Sequence, residues 1–189
     1  MLLINGIGAS LEALEPFVTA LDGAVEVIRF DPPGVGGSPL PPGPYRFTRL
    51  CRLIAGMLTE LGHDQADVLG ISWGGAVAQH FAAFQRDRCR RLVLVATAAG
   101  PPMMLARPAV LARLMTPRRY LDRLPGAGGR QPVLILAGDD DPIIPLANAR
   151  LMHRLIRGSR LHVYSGGHLG LLTEAAGLAP VVDGFLSGS

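Results

Sequence analysis

Positions 67–80 read "DVLGISWGGAVAQH", a short apolar run that meets one serine among glycines. Gly70, Ile71, Ser72, Trp73 and Gly74 make a G-x-S-x-G match. A strand that turns straight into a helix brings two backbones very close, and glycine two residues either side of the serine relieves that contact. The serine is then expected in a strained conformation with its hydroxyl exposed, just ahead of the free N–H groups of a helix N-terminus. Such a corner suits a nucleophile.

A serine hydroxyl is a weak nucleophile at neutral pH and needs a base, which in turn needs an orienting acid. Five histidines are available. His63 sits in a polar turn, His80 on the helix behind the serine, His153 on a helix and His162 within a strand; these read as surface or packing residues. His168 lies in the glycine loop of "VYSGGHLG", after the last strand, and is the expected base. The acid is expected on the loop after the preceding strand, in "LAGDDDPIIP". Asp141 precedes a proline, which favours an extended backbone there. Asp139 and Asp140 are the competitors, with capping of backbone N–H groups as their other role.

The first turn, "LLINGIGAS", has two readings. One is a dinucleotide fingerprint, with Gly6 and Gly8 after a strand and Asp31 ending the next. Leu11 stands where the third glycine belongs, and Asp31 runs into the bulky "DPPGVGGS". The other, favoured, is an oxyanion loop in which the N–H groups of Ile7 and Trp73 hold a carbonyl oxygen. No cofactor and no metal site is expected. Cys51 and Cys89 make no CxxC pair and read as reduced, packed thiols.

These residues need a scaffold. Strands are expected near 2–5, 25–30, 67–71, 91–97, 132–137 and 160–164. Helices are expected near 10–21, 46–61, 73–85, 145–156 and 170–186. Alternating strands and helices, with short and almost wholly apolar strands, predict an α/β fold: an open, mainly parallel sheet of about six strands with helices on both faces. The 189 residues suit a single domain, 1–189. Within it, 98–130 is a long connection, rich in Pro, Gly, Met and Arg, of the kind that forms lids. Its "AAGPPMMLARPAVLARLM" reads either as a core-packed helix with a proline-rich entry or as an apolar substrate wall, in which Met103 and Met104 adapt to varied ligands. Trp73 would add a rigid surface beside the nucleophile.

Composition narrows the function further. All 18 basic residues are arginine, which excludes a lysine Schiff base or a P-loop lysine. Arg86, Arg88, Arg90 and Arg91 cluster, as do Arg118 and Arg119, without aromatic interleaving. A solvated surface rather than a nucleic-acid face is expected. No apolar run is long enough to span a bilayer, and "MLLINGIGAS" lacks secretory-signal features, so a cytoplasmic location is expected.

The motifs "NGIGAS", "FDPPGVGGS", "GISWGG", "AGDDDPIIP" and "GGH" resemble those of the α/β-hydrolase superfamily, in the chain order serine, acid, histidine. "NGIGASLE", "PYRF", "GISWGGAVAQ", "RCRRLVLVATAAG", "TPRRY" and "LAGDDDPIIPL" are similar to intracellular, medium-chain poly(3-hydroxyalkanoate) depolymerases. That resemblance implies a nucleophile at Ser72, an acid at Asp141, a base at His168, a polyester substrate and work at granule surfaces. It also implies that the second strand lies beside the first, and the first beside the third. Members of that family carry strands ahead of "NGIG" and a larger lid than "LDRLPGAGGRQPVLI" allows. With no outer neighbour, "VEVIRF" would be an apolar edge prone to self-association. The expected function is a serine ester hydrolase acting on hydroxyacyl esters. A generic carboxylesterase, a lactonase, a carbon–carbon bond hydrolase or a non-catalytic binding module are the alternatives.

Overall fold

The structure, a computed structural model, describes residues 1–99 and 131–188. Its six strands are β1 (Leu2–Ile4), β2 (Ile28–Arg29), β3 (Ala66–Ile71), β4 (Cys89–Val95), β5 (Val133–Gly138) and β6 (Arg160–Tyr164). They form one sheet in the order β2-β1-β3-β4-β5-β6, and every neighbouring pair is parallel. The chain order reverses at β1, so the loops after β1 and β3 open side by side at one end of the sheet. The helices are α1 (Glu15–Ala20), α2 (Phe47–Glu60), α3 (Trp73–Phe84), α4 (Leu146–Leu155), α5 (Gly170–Thr173) and α6 (Ala175–Ser187). A 3-10 turn, Leu11–Leu14, precedes α1.

Alternation along the strands divides the core in two. Leu2, Ile4, Val68, Leu92, Leu94, Val133 and Ile135 face one layer, with Leu50, Ile54 and Leu58 of α2, Val77 and Phe81 of α3 and Met152 of α4. Leu3, Leu69, Val93, Val95, Leu134 and Leu136 face the other, with Phe17 of α1 and Leu178, Val182 and Phe185 of α6. All six residues of β3 and of β5 are buried, as a strand covered on both faces requires. Within α2 the buried residues Leu50, Cys51, Ile54 and Leu58 fall on one stripe.

Two expected helices are each interrupted. The segment after Ser10 opens as a 3-10 turn before α1, and the last helix is split into α5 and α6 at Glu174. The second strand is also shorter than "VEVIRF" suggests. Only Ile28 and Arg29 pair with β1, because the chain turns at Asp22–Val25 just before them. Two half-buried residues, one an arginine, make a poor template for strand addition.

The arginine cluster is not the freely solvated face expected from composition. Arg88 reaches the carbonyls of Ala55 and His63 and the Thr59 hydroxyl, tying down the end of α2. Arg90 forks onto both oxygens of Asp67 at 2.9 and 2.6 Å, and Arg91 stands 3.6 Å from the same carboxylate. Asp67 is buried at the start of β3, so these arginines neutralise a charge that the core would otherwise reject. Arg118, Arg119, Met103, Met104 and most of the 98–130 connection lie outside the described residues.

Cys51 and Cys89 are free and buried, and burial pushes both thiols up to about 12. The thiolate is the reactive species. The folded protein is therefore expected to show no thiol reactive toward a disulfide reagent at pH 8, and two after denaturation. A fast-reacting thiol in the native protein would contradict this packing.

Candidate active site

Ser72 sits between the end of β3 and the first turn of α3 with φ 52° and ψ −116°. A positive φ at a non-glycine residue costs on the order of 1–3 kcal/mol and persists only where its surroundings enforce it. Here the Ser72 N–H donates to the Val95 carbonyl at 2.9 Å. The Ser72 carbonyl accepts from Gly75 N–H at 3.0 Å and from the Thr97 hydroxyl at 2.8 Å. Thr97 is buried and follows Ala96, itself at φ 45°, so two strained corners brace each other.

The flanking glycines are needed, though for different neighbours. A Cβ on Gly70 would stand 2.3 Å from the Gly74 carbonyl oxygen, the strand–helix contact expected from the motif. A Cβ on Gly74 would stand 2.1 Å from the Ile4 carbonyl oxygen and 2.4 Å from that of Asn5. Gly74 thus lets α3 press onto the end of β1 and brings the loop after β1 against the serine.

That loop carries Ile7. Asn5 is buried and its side-chain amide donates to the Ser10 carbonyl at 2.6 Å, which holds the loop closed. Trp73 is the first residue of α3, so its N–H has no intrahelical acceptor. The Trp73 ring packs edge-on to Phe47, with centroids 5.8 Å apart. Asp31 spends its carboxylate on backbone: Oδ1 accepts from Leu11 N–H at 2.8 Å and Oδ2 from Gly37 N–H at 2.9 Å. A carboxylate so engaged pins the "DPPGVGGS" turn to the 3-10 segment and is not presented to a ribose.

The three aspartates separate by direction. Asp139 Oδ1 accepts from Gly166 N–H at 2.9 Å, and Asp140 is exposed. Asp141 is buried; its Oδ1 accepts from the N–H groups of Ile143 and Ile144, both at 2.8 Å. Its Oδ2 faces His168 Nδ1 at 2.8 Å. A carboxylate only accepts, so Nδ1 carries the proton and Nε2 keeps a lone pair.

Tyr164, which stands in "VYSGGHLG" with no role that the stretch marks, shapes the His168 loop. Its hydroxyl donates to the Gly167 carbonyl at 3.1 Å, and burial pushes it up to about 12. Its ring fills the space where a Cβ on Gly170 would lie, 2.2 Å away. The other histidines are occupied elsewhere. His80 stacks on Phe84 and is lowered by burial, His153 meets the Ser159 hydroxyl at 2.9 Å, and His63 stands 3.5 Å from Glu26. His162 is in β6, paired with Leu136.

Ser72 and His168 open into one cavity of about 290 Å³. Ile7, Ile143, Leu169 and Leu172 line it and are exposed to solvent, and no carboxylate or guanidinium is among its described lining. A serine hydroxyl, an imidazole and the loop that carries Ile7 thus border one apolar hollow. That arrangement suits attack on a neutral carbonyl compound.

The model of the alpha/beta hydrolase fold family matches residues 1–132, and that of a TAP-like protein family matches residues 112–189. The chain is 41% identical to a poly(3-hydroxyalkanoate) depolymerase of Ectopseudomonas oleovorans, over 98% of this chain and 83% of that protein. It is 27% identical to a pimeloyl-[acyl-carrier protein] methyl ester esterase of Neisseria meningitidis, over 98% and 76% of the two. Among solved structures, a hydrolase from Pseudomonas aeruginosa PA01 superposes with TM-score 0.80 at 27% identity, covering 98% of this chain and 88% of that one. An enol-lactonase from Burkholderia xenovorans LB400 shares the fold at TM-score 0.82 and 24% identity, covering 98% and 90%.

Proposed function

The chain belongs to the α/β-hydrolase fold family and is an ester-hydrolysing enzyme, and on that premise we propose that it cleaves hydroxyacyl esters of the poly(3-hydroxyalkanoate) type through an acyl-enzyme on Ser72. The carrying observation is the 2.8 Å pair of His168 and the buried Asp141, beside a serine held at positive φ on the same cavity.

In this reading Ser72 Oγ attacks the ester carbonyl while His168 Nε2 takes its proton. Asp141 holds the Nδ1–H tautomer and stabilises the imidazolium. The N–H groups of Ile7 and Trp73 receive the oxyanion. Collapse of the tetrahedral intermediate breaks the carbon–oxygen bond, and the alcohol leaves with the proton from His168. Water then attacks the acyl-enzyme, gives a proton to Nε2 and releases the hydroxy acid, with the proton returning to Ser72. The uncharged lining supports esters over free carboxylates as ground-state ligands.

No helix among the described residues is long and apolar enough to cross a membrane. A cytoplasmic location, at polyester granule surfaces, is part of the same proposal and follows from the substrate it names. Self-association is part of the same proposal, and the two-residue β2 edge offers it little backbone to pair with.

A fluorophosphonate probe tests the nucleophile. Stoichiometric labelling of the folded protein at Ser72, lost in Ser72→Ala, is expected. A folded protein that takes no label would overturn the ester-hydrolase mechanism and favour a binding module. Release of hydroxy acids from polyester granules tests the substrate; hydrolysis of small esters with none of the polymer would leave a generic esterase.

A further inference from the structure

The residues that would bind the acyl chain need not come from the 98–130 connection, because the core itself has a hollow. The cavity that Ser72 and His168 share extends away from α3, between the 3-10 turn Leu11–Leu14 and α5. Its walls are large apolar residues: Leu14 and Leu171, both buried, and Ile7, Leu169 and Leu172, all exposed. Two small residues interrupt them. Ala9, just before the 3-10 segment, and Ala13, within it, also line the hollow. Since the 3-10 turn packs against α5, larger side chains at these positions would project into that space.

We propose that this hollow seats the alkyl part of the acyl group, and that Ala13 is the specificity-determining residue that sets how long a chain it accepts. The proposal rests on the reading of Ser72 as nucleophile. At about 290 Å³ the space lies near the lower bound of small-molecule sites, which suits one acyl unit. An acetyl group on Ser72 would fill little of it, whereas an octanoyl chain must run along its apolar walls, where Leu172 and Ala13 stand. Each methylene taken from water is worth about fourfold in binding, so the effect of blocking the hollow grows with chain length.

The second apolar groove, between the "DPPGVGGS" turn and α2, supplies the control. It is lined by Phe30, Leu50, Leu53 and Met57 and includes neither Ser72 nor His168. Leu53 is exposed there and does not line the hollow beside Ser72.

The test is kcat/KM for p-nitrophenyl esters from acetate to octanoate, since the leaving group is constant and only the acyl chain varies. Ala13→Leu is expected to lower the octanoate value by about tenfold or more, from two or more methylenes left in water, while acetate stays within about twofold. Leu172→Ala removes a wall contact and is expected to lower the octanoate-to-acetate ratio in the same direction; should Ala13→Leu fail to fold, the smaller Ala13→Val takes its place, with a drop of the same sign and smaller size expected. Leu53→Ala is expected to leave the ratio unchanged. Equal losses on all chain lengths, no loss on octanoate, or a ratio that moves only in Leu53→Ala would each overturn the assignment of this hollow. Absence of hydrolysis of any ester by the wild-type protein, acetate included, would instead sink the reading of Ser72 on which it stands.

Discussion

Asp141→Asn is expected to lower kcat for ester hydrolysis by about four orders of magnitude while leaving the protein folded. The substitution keeps a carbonyl oxygen that can still accept from the N–H groups of Ile143 and Ile144, now at 2.8 Å from Asp141 Oδ1. The loop should therefore hold its shape. What changes is the atom facing His168. An amide NH₂ there donates to Nδ1, so the ring proton moves to Nε2, and the imidazole can no longer take a proton from Ser72. Ser72→Ala sets the ceiling, with an expected loss of about 10⁶. Asp139→Asn retains an acceptor for Gly166 N–H, and Asp140 is exposed, so both asparagine variants are expected within a few-fold of wild type. The measurement is steady-state kinetics on one activated ester, with circular dichroism to check folding. If Asp140→Asn were the crippling change and Asp141→Asn stayed active, the acid would be misassigned.

Gly74→Ala is expected to be the most damaging single-atom addition to the fold. The new Cβ would stand 2.1 Å from the Ile4 carbonyl oxygen and 2.4 Å from that of Asn5, and both neighbours are backbone. No rotamer change relieves such a contact, so α3 must lift off β1 or the loop that carries Ile7 must move. A loss of more than about 4 kcal/mol is expected, a large share of the ~5–15 kcal/mol by which a typical domain is stable. Gly56→Ala provides the contrast. Gly56 lies within α2, where a Cβ meets nothing within 4 Å, and alanine there should stabilise by up to about 1 kcal/mol through helix propensity. Urea midpoints for the two variants check the sign of each effect. A Gly74→Ala protein within about 1 kcal/mol of wild type would mean that the close contact of α3 with β1 is wrong.

Local pattern carried much of this protein. Near-unbroken apolar runs in "DVLGI" and "VLILA" mark strands buried on both faces, since a strand's side chains alternate between two layers and here both layers are apolar. The glycines around Ser72 mark a tight strand–helix corner, because only residues without a Cβ tolerate it. The order of Ser72, Asp141 and His168 could likewise be read from motifs that follow β3, β5 and β6. Pairings between distant segments were not legible, because nothing local encodes them. Among three consecutive aspartates the proline after Asp141 singles out that residue, but it is the turn of the chain that sets Asp141 against His168 and Asp139 on Gly166. The arginines near Arg88 look like a solvated run until the fold brings Asp67 and the end of α2 beside them. Thr97 and Tyr164 lie in "RCRRLVLVATAAG" and "VYSGGHLG" with no role that either stretch marks, yet packing puts one hydroxyl on the Ser72 carbonyl and the other on that of Gly167. The hollow beside Ser72 depends on the spacing of the 3-10 turn from α5, two segments more than 150 positions apart in the sequence. A helix pattern predicts that each of those segments is buried on one side; only their packing decides that Ala9 and Ala13 leave a space between them.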